Sequence, residues 1–98
     1  MLRHTALSGT PIKKVAVCGG AGSFLISKAL AAGADAFITA DLKYHEFFDA
    51  ENQLILADIG HYESEQYTKD LLGNVLRDNF VSFASIFSKS VTNPISYL

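Results

Sequence analysis

The chain has 98 residues and a mass of 10.6 kDa, which suits one small domain, and its net charge of −2 gives it no basic surface for nucleic acid. It has a single cysteine, Cys18, which excludes an intramolecular disulfide, and no stretch approaches the roughly 18 apolar residues that span a bilayer. We therefore expect a cytoplasmic protein that binds neither nucleic acid nor membrane. Hydrophobic residues make up 49% of the chain, which predicts a covered apolar face and hence a homo-oligomer.

The first elements alternate between strand and helix signals. Leu2–Leu7 can add a short strand at one edge of a sheet. The β-branched run Lys14–Cys18 predicts a buried strand that stops at the glycines following it. Ser23 is placed to cap a helix that continues to Leu30, and Gly33 is placed to end it. These residues form a first β-α unit.

The elements predicted after Gly33 continue the alternation. They are a strand at Ala34–Ala40, a short helix at Tyr44–Ala50, a strand at Leu54–Ile59, a long helix from about Glu63 to Asn79 and a further strand at Ala84–Ser88. Short links between alternating strands and helices favour parallel strands with right-handed crossovers. We predict an α/β fold with a mostly parallel sheet of four to five strands and alternating helices, in a single domain over residues 1–98.

The segment Gly60–Glu65 ends the third strand signal and opens the long helix. It contains His61 and Glu65 at positions i and i+4, which lie on one helix face with Cβ atoms about 5–6 Å apart. An imidazole and a carboxylate at that spacing can bind one cation, but zinc sites usually take three or four protein ligands. The alternative is an ordinary helix start, in which the Glu65 carboxylate interacts favourably with the helix dipole and His61 caps the helix.

Two more polar segments follow strands, and in such a sheet all three should reach the same edge. Gly19–Ser23 offers backbone N–H groups to an anion, although a tight turn with close helix packing explains it as well. Asp41–His45 offers His45 as a general base, an outer-shell partner or a ligand, or as an ordinary hydrogen-bonded residue. Cys18 is expected to pack as a small hydrophobe.

Three motifs together resemble a known family. Val15–Ser23, Gly33–His45 and Gly60–Glu65, in this order and spacing, resemble the Nif3-like dinuclear metal centre family, whose members are often named GTP cyclohydrolase 1 type 2 homologs. The resemblance covers roughly Val15 to Asn79 and extends to Asn93–Ile95. It implies two divalent metal ions, zinc, manganese or iron, in a toroidal homo-oligomer.

By position, the resemblance implies that His61 and Glu65 are metal ligands and that His45 lies near the site. It also implies an N-terminal half, absent here, that supplies paired histidines and an aspartate. We therefore expect the chain to be the C-terminal part of a longer Nif3-like protein and to bind metal weakly or not at all by itself.

Two functions fit this resemblance. The first is a metal-dependent hydrolase acting on a small molecule of unknown identity, since paired cations can share a hydroxide and polarise a carbonyl or phosphoryl oxygen. The second is a non-enzymatic oligomerisation or binding module with a structural or regulatory metal. A phosphate-binding domain centred on Gly19–Ser23 ranks third.

Overall fold

The apolar β-branched runs of the sequence form one sheet, and the amphipathic runs between them form short helices. The computed structural model describes all residues from Met1 to Leu98, which divide into two units, Met1–Ser64 and Glu65–Leu98. The strands are β1 (Arg3–His4), β2 (Val15–Ala21), β3 (Ala36–Ala40) and β4 (Ile55–Asp58). The α-helices are α1 (Ile26–Ala31), α2 (His61–Glu65) and α3 (Thr68–Asn79), and two 3₁₀ helices cover Ser23–Leu25 and Tyr44–Ala50.

The four strands have the order β1-β4-β3-β2. Strand β3 is parallel to both β2 and β4, whereas β1 pairs antiparallel with β4 through Arg3 opposite Asp58. The predicted mostly parallel sheet is thus confirmed at four strands, with the N-terminal segment as a two-residue edge strand. Strand β2 continues through the glycines to Ala21 and exposes Val17, so the prediction of a buried strand that stops before the glycines is wrong. The register of β2 against β3 shifts between Val17 and Ala21.

The core of the first unit lies around β3 and β4. Phe37 and Leu56 are fully buried, and the other buried members of this cluster are Ile26, Ala29, Ala34, Leu42, Ala50 and Leu54. Burying a large apolar side chain contributes about 1.5–3 kcal/mol, so these residues supply much of the free energy that holds the unit together. Cys18 is half-buried and packs against the same cluster, as its sequence position predicts.

Helix α1 ends as the sequence predicts. Gly33 has a φ of +68°, its N–H donates to the Leu30 carbonyl at 2.9 Å, and the Ala34 N–H donates to the Ala29 carbonyl at 3.0 Å. This pair of bonds is a Schellman motif, which satisfies carbonyls that the helix end leaves without partners.

The prediction that Ser23 caps this helix is wrong. Ser23 already lies inside the first 3₁₀ helix, and Gly22 occupies the cap position without a side-chain hydrogen bond. The hydroxyl of Ser23 instead bonds Glu46, whose pKa is held below its ordinary value first by the Lys43 backbone N–H and then by Ser23. A tight contact of Gly22 with the sheet, described below, accounts for a glycine at the cap.

The second unit consists of α3 and the segment that follows it. The edge of the Phe87 ring would lie 2.2 Å from a Cβ placed on Gly73, and the guanidinium of Arg77 lies 5.7 Å from the centre of the same ring. Phe87 therefore packs directly on the α3 backbone, and Gly73 provides the room for it. No helix of the chain is both long and apolar enough to cross a membrane.

Two element predictions fail in this part of the chain. The predicted helix from Glu63 to Asn79 is divided into α2 and α3 by a turn at residues 66–67. The predicted strand at Ala84–Ser88 is irregular, and Ile86 within it is exposed. A strand needs hydrogen bonds from a neighbouring strand, and the second unit contains no sheet to supply them.

Asp35 gives the fold a defined dependence on acid. Its Oδ2 atom accepts hydrogen bonds from the backbone N–H groups of Lys14 at 2.7 Å and Lys13 at 2.8 Å, and these bonds, that of Lys14 first, lower the pKa of the carboxyl. A lowered pKa in the folded state means that the carboxylate stabilises the fold at neutral pH. This stability is lost as pH falls below about 4 and through the lowered pKa.

We therefore expect Asp35→Asn to lower the melting temperature at pH 7, with a difference from the unsubstituted chain that shrinks steadily as pH falls below about 4. Thermal unfolding followed by circular dichroism across this range measures the effect. Asp49→Asn is the control, because Asp49 is exposed and accepts no backbone hydrogen bond. A difference for Asp35→Asn that stays constant with pH would contradict the expectation.

Candidate metal centre

Three polar segments meet at the carboxyl-terminal edge of the sheet. His61 follows β4 and Asp41 follows β3, and the Nδ1 atom of His61 lies 2.6 Å from the Oδ2 atom of Asp41. The hydroxyl of Ser64 accepts a hydrogen bond of 2.8 Å from the N–H of Gly20 at the end of β2. The predicted convergence of these segments at one edge is confirmed.

Asp58, the last residue of β4, ties two of these segments together. Its carboxylate is almost fully buried, with 5% of the side chain exposed. Oδ1 accepts from the Gly60 N–H and Oδ2 accepts from the Leu42 N–H, each at 3.0 Å, and the guanidinium of Arg3 also bonds Oδ2. One carboxylate thus holds the loop after β3, the loop after β4 and the edge strand.

Asp41 occupies an uncommon backbone conformation. Its φ is +56°, in the left-handed region that costs most non-glycine residues roughly 1–2 kcal/mol and that aspartate and asparagine tolerate best. The next residue, Leu42, is buried in the core and donates its N–H to Asp58. The chain therefore turns sharply at Asp41 and leaves the Asp41 carboxylate beside His61.

The contact between Asp41 and His61 sets the state of the imidazole ring. An ionised carboxylate accepts hydrogen bonds only, so Nδ1 of His61 is the donor and Nε2 is the basic nitrogen of the neutral ring. The two side chains are 55% and 46% exposed, respectively, and ion pairs at such positions contribute only about 0–1 kcal/mol to stability. A carboxylate on the far nitrogen of a histidine is also the usual partner of a metal-binding imidazole.

Ser64 joins α2 to the glycine-rich segment. Besides accepting from Gly20, its hydroxyl donates to the His61 carbonyl at 2.8 Å. The Gly20 N–H is thereby engaged by the protein itself. Beside it, a Cβ on Gly22 would lie 2.2 Å from Thr39 Oγ1, so the helix that starts there packs tightly on β3. Both observations favour the tight-turn interpretation of Gly19–Ser23 over an anion site.

The predicted ligands His61 and Glu65 are the first and last residues of α2, and both are exposed. Nothing in the structure tests their metal binding, which stays a prediction. No group of three or more histidine, cysteine, aspartate or glutamate side chains is arranged to hold a metal ion. His45 is exposed on the second 3₁₀ helix and takes no part in the contact between Asp41 and His61.

Sequence reasoning missed the roles of Asp58 and Ser64. The sequence pattern places Asp58 within the strand Leu54–Ile59 and indicates no separate role for Ser64. The sequence does contain a signal for Asp58. An aspartate at the end of an apolar strand, two residues before Gly60, is well placed to accept a hydrogen bond from a backbone N–H of the following turn. Ser64 left no such signal, since its partner Gly20 is 44 positions away.

The donor types of this chain fit the chemistry of a metal centre. An imidazole ring oriented by Asp41 and the carboxylate of Glu65 are ligands that zinc, manganese and iron accept. They are two donors on α2, fewer than one complete site uses.

Comparisons with known proteins agree with the motifs. Residues 1–94 match the sequence model of Duf34/NIF3 (NGG1p interacting factor 3). A GTP cyclohydrolase 1 type 2 homolog of Campylobacter jejuni is 38% identical over 98 residues, and a Staphylococcus epidermidis protein of the same name is 39% identical over 101 residues. These alignments cover 99% and 98% of this chain but only 38% and 27% of the relatives, so the chain spans less than half of their length.

Solved structures give the same result for the fold. A Staphylococcus aureus protein of known crystal structure superposes with a TM-score of 0.78 and 30% identity, over the whole of this chain and 33% of its own. A Bacillus cereus protein related to NIF3 superposes with a TM-score of 0.74 and 27% identity, over the whole of this chain and 28% of its own. With the sequence match over residues 1–94, these similarities show that the chain belongs to the DUF34/NIF3 family.

Proposed function

We propose that this chain supplies one imidazole and one carboxylate, from His61 and Glu65, to a dinuclear metal centre of a metal-dependent hydrolase. The observation that carries the proposal is the hydrogen bond of 2.6 Å from His61 Nδ1 to Asp41, which makes Nε2 the basic nitrogen. His61 and Glu65 begin and end the same helix, at the spacing that lets two side chains share a cation.

The remaining ligands have to come from outside this chain, because two donors do not complete even one site. When bound, a pair of divalent ions would supply a hydroxide at neutral pH and would polarise a carbonyl or phosphoryl oxygen of the substrate. Within this chain, His61 and Glu65 would hold metal, Asp41 would orient His61, and Asp58 and Ser64 would fix the loops that carry them. The donors suit zinc, manganese or iron, and the substrate would be a small molecule.

The relatives are homologs of a GTP cyclohydrolase by name, and our proposal for this chain is a small-molecule substrate without the assignment of GTP. The cytoplasm remains our proposed compartment, on the basis of a single half-buried cysteine.

A second candidate is a non-enzymatic oligomerisation module in which the metal is structural or regulatory. A row of exposed apolar side chains on and after α3 favours it, namely Leu71, Leu72, Val75, Leu76 and Phe80. Soluble proteins rarely leave contiguous apolar patches exposed, so this row is expected to be covered by protein. A homo-oligomer accommodates both candidates, because an oligomer can carry a catalytic or a structural metal.

Titration of the metal-free chain with Zn²⁺ and Mn²⁺, followed by calorimetry, tests the ligand assignment. The chain alone is expected to bind weakly, and we expect His61→Ala and Glu65→Gln each to weaken that binding further by at least about tenfold, since each removes one of two donors. His4→Ala and Glu51→Gln are the matched controls. They remove an imidazole from β1 and a carboxylate from the end of a 3₁₀ helix, away from α2. Unchanged affinity in His61→Ala would refute the assignment.

Thermal unfolding of the same variants separates the two candidates. If the metal is structural, a chelator abolishes the cooperative unfolding transition of the unsubstituted chain, and His61→Ala shows no such transition with or without Zn²⁺. If the metal is catalytic, both chains keep a cooperative transition in the presence of the chelator. In that case the loss appears in metal-dependent hydrolysis by a full-length relative that carries the equivalent substitution.

A further inference from the structure

Among the polar residues at this edge of the sheet, Asp41 has a backbone conformation and a side-chain contact that stability alone does not explain. Its backbone is held at a φ of +56°, which costs free energy, while its side chain makes a half-exposed contact that returns little of it. Energetically unfavourable backbone conformations that persist in folded proteins concentrate at functional sites. The burial of Leu42 requires the turn, but Asn or Gly would adopt the same φ, so the presence of a carboxylate at this position is better explained by its contact with His61.

We propose that Asp41 is a positioning residue that fixes His61 in the tautomer with the proton on Nδ1, so that Nε2 is presented as the metal-binding nitrogen. The proposal rests on the metal function proposed above and adds to it a residue outside the predicted ligand set. Neutral imidazole in water exchanges between two tautomers, and a metal binds only a nitrogen that carries no proton. An acceptor held at Nδ1 favours the tautomer that leaves Nε2 without a proton before the metal arrives.

The surrounding hydrogen bonds hold this contact in place from both sides. Oδ2 of Asp58 binds the N–H of Leu42, the residue after Asp41, and Oδ1 binds the N–H of Gly60, the residue before His61. Both members of the pair are thus attached through their neighbours to one buried carboxylate. Ser64 adds a second attachment on the helix side, through the His61 carbonyl.

The unusual backbone of Asp41 provides two clean variants. Asn tolerates a positive φ and keeps the shape of the side chain, but its amide can donate as well as accept, so it enforces neither tautomer. Gly adopts a positive φ without cost and removes the side chain altogether. Asp41→Asn and Asp41→Gly should therefore both fold, and neither should hold the proton on Nδ1. Asp49→Asn, at an exposed carboxylate of the second 3₁₀ helix, is the control.

Nitrogen-15 NMR of the imidazole rings measures the tautomer directly in the metal-free chain. Spectra are recorded with a chelator present at about pH 8, above the ordinary imidazole pKa near 6.5, and the His61 signals are assigned with His61→Ala. We expect the Nδ1-protonated form to dominate in the unsubstituted chain and in Asp49→Asn, and to lose that dominance in both Asp41 variants. An unchanged tautomer in Asp41→Gly would overturn the inference.

Zn²⁺ titration of the same variants reports whether the tautomer matters for metal. We expect a loss of roughly 10–100-fold in affinity for Asp41→Gly, the range found when an outer partner of a metal-binding histidine is removed. The two hypotheses fail separately. If His61→Ala binds Zn²⁺ as the unsubstituted chain does, the metal function is refuted, whereas the NMR measurement alone decides whether Asp41 fixes the ring.

Discussion

Gly22→Ala is expected to lower the free energy of unfolding by about 3 kcal/mol, because overpacking a close contact costs this much when the neighbours cannot move away. A Cβ on Gly22 would lie 2.2 Å from Thr39 Oγ1 and 3.1 Å from Cys18 Cβ. Thr39 is fully buried and its hydroxyl donates to the Gly20 carbonyl at 3.0 Å, so it has no open direction in which to retreat. Denaturant unfolding of both chains measures the difference.

Two other glycines separate this steric cost from a conformational one. Gly33 and Gly9 have φ values of +68° and +72°, but a Cβ at Gly9 meets nothing within 4 Å and one at Gly33 meets only the Lys14 amine at 4.0 Å. Alanine at these positions should cost about 1 kcal/mol, the price of a positive φ without a clash. Gly22 has an ordinary negative φ, so its cost should come from the clash.

A double-mutant cycle with Thr39→Ala identifies the clashing partner. Removing the Thr39 hydroxyl leaves room for the new methyl group, so the double variant should be more stable than the sum of the two single effects by at least about 1 kcal/mol. Additive effects would mean that the strain lies elsewhere. A Gly22→Ala chain as stable as Gly33→Ala would show that the helix start shifts without cost, against the tight packing described here.

This glycine shows how far the sequence alone reaches. A glycine-rich turn between a strand and a helix predicts close packing, which the structure confirms at Gly22. The partner of the contact was not predictable, because Thr39 lies on a different strand, and its neighbour is set by the register of β2 against β3. The shift of that register next to Gly20 leaves no mark in the period of the apolar residues.

The candidate site also has a part that the sequence predicts and a part that it does not. The spacing of His61 and Glu65 and the order of the strands placed the polar segments at one sheet edge, and the motifs identified the family. The contact of His61 with Asp41 depends instead on a positive φ and on hydrogen bonds from a buried carboxylate. Such long-range constraints leave no local pattern, which is why Asp41 entered the sequence analysis only as a member of a polar segment.

The failures beyond β4 have a common cause. Residues 66–67 interrupt an apolar stripe that looks continuous in sequence, and Ala84–Ser88 has the composition of a strand without a neighbouring strand. In both places the local propensity is genuine but weak, and hydrogen bonds and packing decide the outcome. The first unit is predicted better because each of its strands finds a neighbour in one sheet.

Asp58→Asn is the second substitution for which we expect a large effect, a loss of roughly 2–3 kcal/mol in unfolding free energy, because a buried carboxylate that accepts several hydrogen bonds is replaced by a group that also donates. Three donors point at this carboxylate, from Arg3, Leu42 and Gly60. The Asn side chain accepts hydrogen bonds only at its carbonyl oxygen. Its NH₂ group would therefore lie against at least one of the N–H donors that Asp58 now binds.

Arg3→Ala is the comparison, because it removes the charged partner of Asp58, together with a hydrogen bond to the Leu42 carbonyl and a contact with the Phe47 ring, and leaves both backbone bonds of Asp58 in place. The side chain of Arg3 is 53% exposed, so water screens its ion pair and we expect a loss of about 1 kcal/mol or less. Urea unfolding gives the two values, and amide hydrogen exchange at Leu42 and Gly60 should accelerate in Asp58→Asn only. Equal losses in the two variants would mean that Asp58 matters chiefly through Arg3 and does not hold the loops on which Asp41 and His61 lie.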